Sequence, residues 1–214
     1  MNRLIRELCT IPEIEELLNC IEHGGCPAAM TGLGPAHRAQ VCAAVLEQSG
    51  RPLLALCSDD GEAARMAADL EHLTGIVPVL LAGREFHFRA AAVASHEWEQ
   101  RRLEALYRMI QGDAQVVVAT PEALLQYTLP PELLRRHVIA LEADGSADLQ
   151  SLSGQLTAMG YSRCEQVEGV GQFALRGGIL DVFGPGMEAP ARIEFFGDDV
   201  DAMGAFDLST QRRT

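Results

Sequence analysis

Several groups of residues in this 214-residue chain have the types and spacing to do chemistry. The loop Thr31-Gly32-Leu33-Gly34-Pro35-Ala36-His37-Arg38 is glycine-rich and stands between a short apolar stretch, Ala28 to Met30, and a helical pattern from Ala36. Glycine loops in that position cradle phosphates with backbone amides. A working one reads Gly-x-x-x-x-Gly-Lys-Ser/Thr, because lysine reaches the terminal phosphates and the hydroxyl binds magnesium. All 17 basic residues of the chain are arginine. Arg38 is a poor substitute for the lysine, since it lies in the helix and carries a bulkier fork. Cys20-x-x-His23-x-x-Cys26, with Cys9 upstream, offers soft ligands, but its spacing matches none of the common structural zinc sites and no metal is expected. Glu142 and Asp144 end an expected hydrophobic strand, Val138 to Leu141, faintly in the manner of a magnesium-binding motif; without a phosphate loop a surface turn is expected instead. His87 and His96, with Arg84 and Arg89, read as an anion site or a flexible loop, the loop being favoured. No Ser/His/Asp or Cys/His set stands at catalytic spacing. There remain Arg176, Arg192 and Phe196, residue types that dominate protein-binding hot spots. The rival reading has the Phe covered by a helix and the arginines paired with local carboxylates.

The elements that position these residues follow from periodicity. From Gly160 to Arg213, apolar and polar residues alternate in short runs split by glycine and proline, the pattern of half-buried strands in a hairpin-rich sheet. Phe173-Ala174-Leu175 leads to the corner Arg176-Gly177-Gly178, then Ile179-Leu180-Asp181-Val182-Phe183 runs to the turn Gly184-Pro185-Gly186. Ala191 to Phe196 follows, turned at Gly197-Asp198-Asp199 into an antiparallel return from Val200 to Phe206. Alternation puts Arg192, Glu194 and Phe196 on one face, opposite Ile193 and Phe195. Upstream, a helix is expected from Pro12 to Gly24-Gly25, then a strand over 28–30, a helix over 36–48, and a strand over 52–57. A helix from Ala63 to Leu73 capped at Asp59 with Glu62, a strand over 76–81, a helix over 98–110 and a strand over 115–119 complete the series, with Thr120-Pro121 opening a short helix. Trp98, Leu103, Leu106 and Ile110 share helical spacing and read as core. Strands alternating with helices imply an α/β fold with a mainly parallel sheet covered on both sides.

The motifs Gly160-Tyr161-x-Arg163, GQFALRGGILDVF from Gly171, ARIEFFGDDVD from Ala191 and FDLSTQR ending at Arg212 resemble, in order and spacing, the second domain of the UvrB-homology module. That family occurs in the repair helicase subunit UvrB and at the N-terminus of the transcription-repair coupling factors, Mfd. The resemblance is specific over 150–213 and weaker over 1–137. It implies a degenerate RecA-like, helicase-type domain over 1–137 and a smaller mixed α+β domain with an antiparallel sheet over 138–214, the boundary falling near His137. It implies that the second domain docks onto UvrA through Arg176, Arg192 and Phe196. Aligned with the UvrB phosphate loop at Gly32 and Gly34, Pro35 takes the place of the lysine and Ala36 that of the hydroxyl, and proline removes an amide from the cradle. Neither ATP nor magnesium is therefore expected here, the family's motor lying elsewhere in the longer protein. The aromatic hairpin that UvrB inserts into DNA has no counterpart. Gln172 replaces the usual glutamate, and Gly184 stands where Phe is usual before Pro185. The family's first domain is completed by a segment returning after the second, so a chain ending at Thr214 is expected to be a truncated piece.

Composition sorts the function classes. With 48% hydrophobic and 22% charged residues the chain can bury a core. A formal net charge of -13 opposes nonspecific nucleic-acid binding and fits a protein partner with a basic docking surface. Six scattered cysteines without a signal peptide read as reduced cytosolic thiols, and the resemblance implies a bacterial cytoplasm. No apolar run approaches the roughly 20 residues that span a bilayer. The expectation is a non-catalytic module that recruits UvrA to stalled transcription complexes in nucleotide excision repair, with RNA polymerase and DNA bound by other domains of the longer protein. The alternatives are a UvrB-like ATPase acting on damaged DNA and a purely structural spacer.

Overall fold

The computed structural model describes residues 3–81, 83 and 97–214. The chain forms two compact units, Met1–Ala94 with Ala105–Tyr127, and Ser95–Glu104 with Thr128–Thr214.

In the first unit, helices α1 (Arg3–Leu8), α2 (Pro12–Glu22) and α3 (Pro35–Ser49) precede β1 (Leu53–Leu56), α4 (Asp60–Thr74) and β2 (Val79–Leu81). The last turns of α5 (Glu97–Gln111), β3 (Val116–Ala119) and α6 (Pro121–Leu125) follow. The strands pair in parallel in the order β1-β3-β2. A parallel pair needs a crossover, and α4 supplies the one from β1. The expected caps are present: Asp59 accepts from the Glu62 amide at 2.8 Å and Thr120 from that of Ala123 at 3.3 Å. One sheet face buries Ala55, Val116 and Val118 against alanines of α3 and against Met66 and Leu70 of α4. The other buries Val79, Leu81, Val117 and Ala119 against Ala105 and Ala123. The central strand β3, buried at all four positions, reads as a continuous apolar run.

Two expected strands are corrected. Residues 28–30 take no strand, since Ala-Ala-Met offers three residues with neither β-branched nor aromatic side chains. Residues 138–141 also run irregularly; Ile139 and Leu141 pack, partly buried, on the second unit's core. Asp144 then turns the chain at φ 62°. Among the described residues no helix is long and apolar enough to cross a membrane.

The second unit contains α7 (Pro131–Arg136), α8 (Leu149–Ala158) and the strands β4 (Ser162–Arg163), β5 (Gln172–Arg176), β6 (Ile179–Phe183), β7 (Ala191–Phe196) and β8 (Asp199–Ala205). They form one sheet in chain order, antiparallel from β5 to β8, with β4 parallel to β5. Leu152 and Leu156 of α8 cover one face, on Phe173, Leu180 and Ile193. On the opposite face Val167 and Phe206 close over Ala174, with Phe183 and Leu208 beside them. Gly177, at φ 61°, makes the two-residue β5–β6 turn. Gly178 lets the Phe195 amide donate to its carbonyl at 2.7 Å; a Cβ there would stand 2.6 Å from the Phe195 oxygen.

Candidate docking site

The register of the second sheet brings the site together. Asp181 on β6 lies directly between Ala174 on β5 and Arg192 on β7. Arg176 stands two residues from Ala174, hence on the same face. The Asp181 side chain is fully buried at 0% exposure. Burying an unpaired carboxylate is costly, and here two guanidiniums pair with it. Arg192 donates to it as a fork, Nε to Oδ1 at 2.6 Å and Nη2 to Oδ2 at 2.8 Å. Arg176 Nη2 donates to Oδ2 at 2.5 Å. Such bidentate, charge-assisted bonds have the geometry that the planar guanidinium favours.

The two arginines differ in what they leave outside. Arg192 has its remaining nitrogen, Nη1, on the Gln211 carbonyl at 3.1 Å, and its guanidinium sits 4.8 Å from the centre of the Phe206 ring. Its side chain is 16% exposed, and bonding to Asp181 raises its pKa against the lowering effect of burial. Arg176 is 47% exposed. Beyond Asp181 it makes one long bond, Nη1 to the Glu165 carbonyl at 3.5 Å. With Arg163, Cys164 and Leu175 it lines an open cavity of about 520 Å³. Phe196, at the end of β7, is 83% exposed. Glu194, between Arg192 and Phe196 on that face, is met by Arg213 Nη1 at 3.4 Å.

Arg176 thus joins, through the register of β5, β6 and β7, the face on which strand alternation places Arg192 and Phe196. The fold adds Asp181, which the sequence reading passed over as one more strand residue. The available signal was a lone carboxylate inside the apolar run Ile179 to Phe183. Gln172 has a use of its own: its side-chain oxygen accepts the amides of Glu168 at 2.8 Å and Gly169 at 3.2 Å, steadying the loop under Phe206.

The remaining candidates are placed as follows. Gly32 adopts φ 80°, Gly34 is the N-cap of α3 and Pro35 its first residue, leaving no side-chain cap. Arg38 is paired with Glu62, which also accepts from the Ser58 amide at 2.8 Å and its hydroxyl at 2.7 Å. These bonds, the Ser58 hydroxyl's first, lower the Glu62 pKa. Cys20 Sγ donates to the Gly25 carbonyl at 2.9 Å and the His23 ring meets the Asn19 carbonyl. All six cysteines are free thiols. Glu142 and Asp144 lie at the turn before Gly145, whose amide bonds the Glu142 carbonyl at 3.1 Å. Arg84, His87, Arg89 and His96 lie outside the described residues.

The chain is similar to known proteins. The UvrB interaction domain family matches residues 139–214. A transcription-repair-coupling factor of Myxococcus xanthus is 34% identical over 189 residues, 85% of this chain and 16% of its own length. That of Mycobacterium tuberculosis is 31% identical over 216 residues, 98% of this chain and 17% of its own. The Bacillus subtilis protein is 29% identical over 202 residues, 94% and 17% respectively. The chain spans about a sixth of the length of these relatives.

Proposed function

Because residues 139–214 belong to the UvrB interaction domain family and most of the chain is homologous to part of the transcription-repair-coupling factors, we propose that this chain is a non-catalytic module that recruits UvrA in transcription-coupled repair. The contact is made by the sheet face bearing Arg176, Arg192 and Phe196. The observation that carries the reading is Phe196, 83% exposed at the end of a strand whose face also presents Arg176. An exposed aromatic beside a half-exposed guanidinium suits a partner with an apolar pocket rimmed by carboxylates.

In this reading the first unit is a scaffold. Gly32, Gly34, Pro35 and Ala36 supply neither the lysine nor the hydroxyl of a phosphate loop, and Arg38 is engaged by Glu62. ATP, magnesium, RNA polymerase and DNA are then handled by other parts of a longer protein, in the bacterial cytoplasm. Calorimetric titration with UvrA of the same bacterium, wild type against Phe196→Ala, tests the docking role. Saturable wild-type binding that weakens at least about tenfold in a folded variant is expected of a hot-spot aromatic. Equal binding by both proteins would overturn the assignment of this face.

A further inference from the structure

Arg192 and Arg176 share one buried carboxylate but are not equivalent. Every nitrogen of Arg192 is engaged inside the unit, with Nε and Nη2 on Asp181 and Nη1 on the Gln211 carbonyl. Its guanidinium is further covered by Phe206, a residue itself only 1% exposed. Releasing this group to a partner would strip a fully buried carboxylate of its fork. Arg176 gives Asp181 a single nitrogen and keeps its Nε free of partners among the described residues. It also lines an open cavity bordered by Arg163, Glu165 and Gln166, so its half-exposed guanidinium can be reached from outside.

We propose that Asp181 and Arg192 are positioning residues, and that Arg176 alone of the three presents its guanidinium to a carboxylate of the docking partner. This assignment rests on the docking reading above and divides its residues by role. Asp181 holds Arg176 through Oδ2, and Arg192 holds Asp181 by the fork, so the outer arginine is fixed before the partner arrives. Fixing a long side chain beforehand removes part of the ordering cost of binding. The partner group is an acidic side chain rather than a phosphate-rich polymer, given a chain of net charge -13.

A double-mutant cycle read by calorimetry with UvrA, with circular dichroism and melting of each variant, tests this. Asp181→Asn keeps the shape and removes the charge; Arg192→Lys keeps the charge and removes the fork, so the cycle can be read even if the first variant does not fold. In the wild-type background each is expected to weaken binding about tenfold, and in an Arg176→Ala background by less than about twofold, because the residue through which they act is gone. A lowered melting temperature is expected in both backgrounds and does not bear on the assignment. Equal losses of affinity in both backgrounds would overturn it, leaving the docking face intact. Absence of binding by the folded wild-type chain, or binding unaffected by Phe196→Ala, would instead remove the docking reading itself and the assignment with it.

Discussion

At Asp181 a single carboxylate with 0% exposure is held by two guanidiniums, and the exposure of each partner ranks the consequences of removing it. Arg192→Ala leaves the buried charge with one nitrogen of Arg176 and opens space over Phe206; breaking a buried pair from one side costs roughly 3–5 kcal/mol. Arg176→Ala removes a pair whose outer member is 47% exposed, and screening makes that loss much smaller. Urea unfolding should therefore place Arg192→Ala well below Arg176→Ala in midpoint; the reverse order would contradict the buried fork. Phe196→Ala should change the unfolding free energy by no more than about 0.5 kcal/mol, because an 83% exposed ring contributes little to the core.

Among the elements, the β5–β6 hairpin and the segment after β8 carry the site. Gly178→Ala would push a methyl to 2.6 Å from the Phe195 carbonyl, which is backbone and cannot swing away. The expected result is a destabilisation of roughly 1–3 kcal/mol in denaturant unfolding, with weakened partner binding as the β7 end carrying Phe196 shifts. After β8, Asp207 accepts from the Ser209 hydroxyl at 2.6 Å and the Thr210 amide at 2.8 Å, tying the turn that leads to Gln211 and Arg213. These bonds, the Ser209 hydroxyl's first, lower its carboxyl from 3.8 to about 2. A carboxyl lowered on folding stabilises fully above its unfolded value, and that contribution fades as pH falls through the folded one. Loosening of this turn is thus expected between pH 3.8 and about 2, read as a carboxyl titration of Asp207 by NMR; a midpoint near 3.8 would show that the bonds do not form in solution. The elements also show where pattern reading stops. The helix α8 was missed in the sequence: the Asp148 cap and Leu149, Leu152 and Leu156 carry its signal, but Gly154 and the serines between them blur the period. The helix α7 hides behind Pro130-Pro131, a pair that looks like a chain break although proline is well suited to a first helical position.

For the molecule as a whole, a nucleotide that bound the folded state would raise its melting temperature by mass action. Millimolar ATP with magnesium is expected to leave the melting curve of this chain unchanged, since its loop offers Pro35 and Ala36 in place of lysine and hydroxyl. Clear stabilisation would favour an ATPase. The α/β class, the caps at Asp59 and Thr120, the glycine corner at Gly177 and the shared face of Arg192 and Phe196 were all determined by the sequence alone. They depend on local period and backbone freedom, which neighbouring residues dictate. Tertiary structure alone decided that residues 28–30 and 138–141 stay irregular, because a strand exists only where another strand pairs with it. It also decided that Arg192 turns inward while Arg176 stays half outside. That difference arises from register, which sets Asp181 opposite Arg192, and from Phe206 and Gln211, which arrive from the far end of the chain to cover one arginine and not the other.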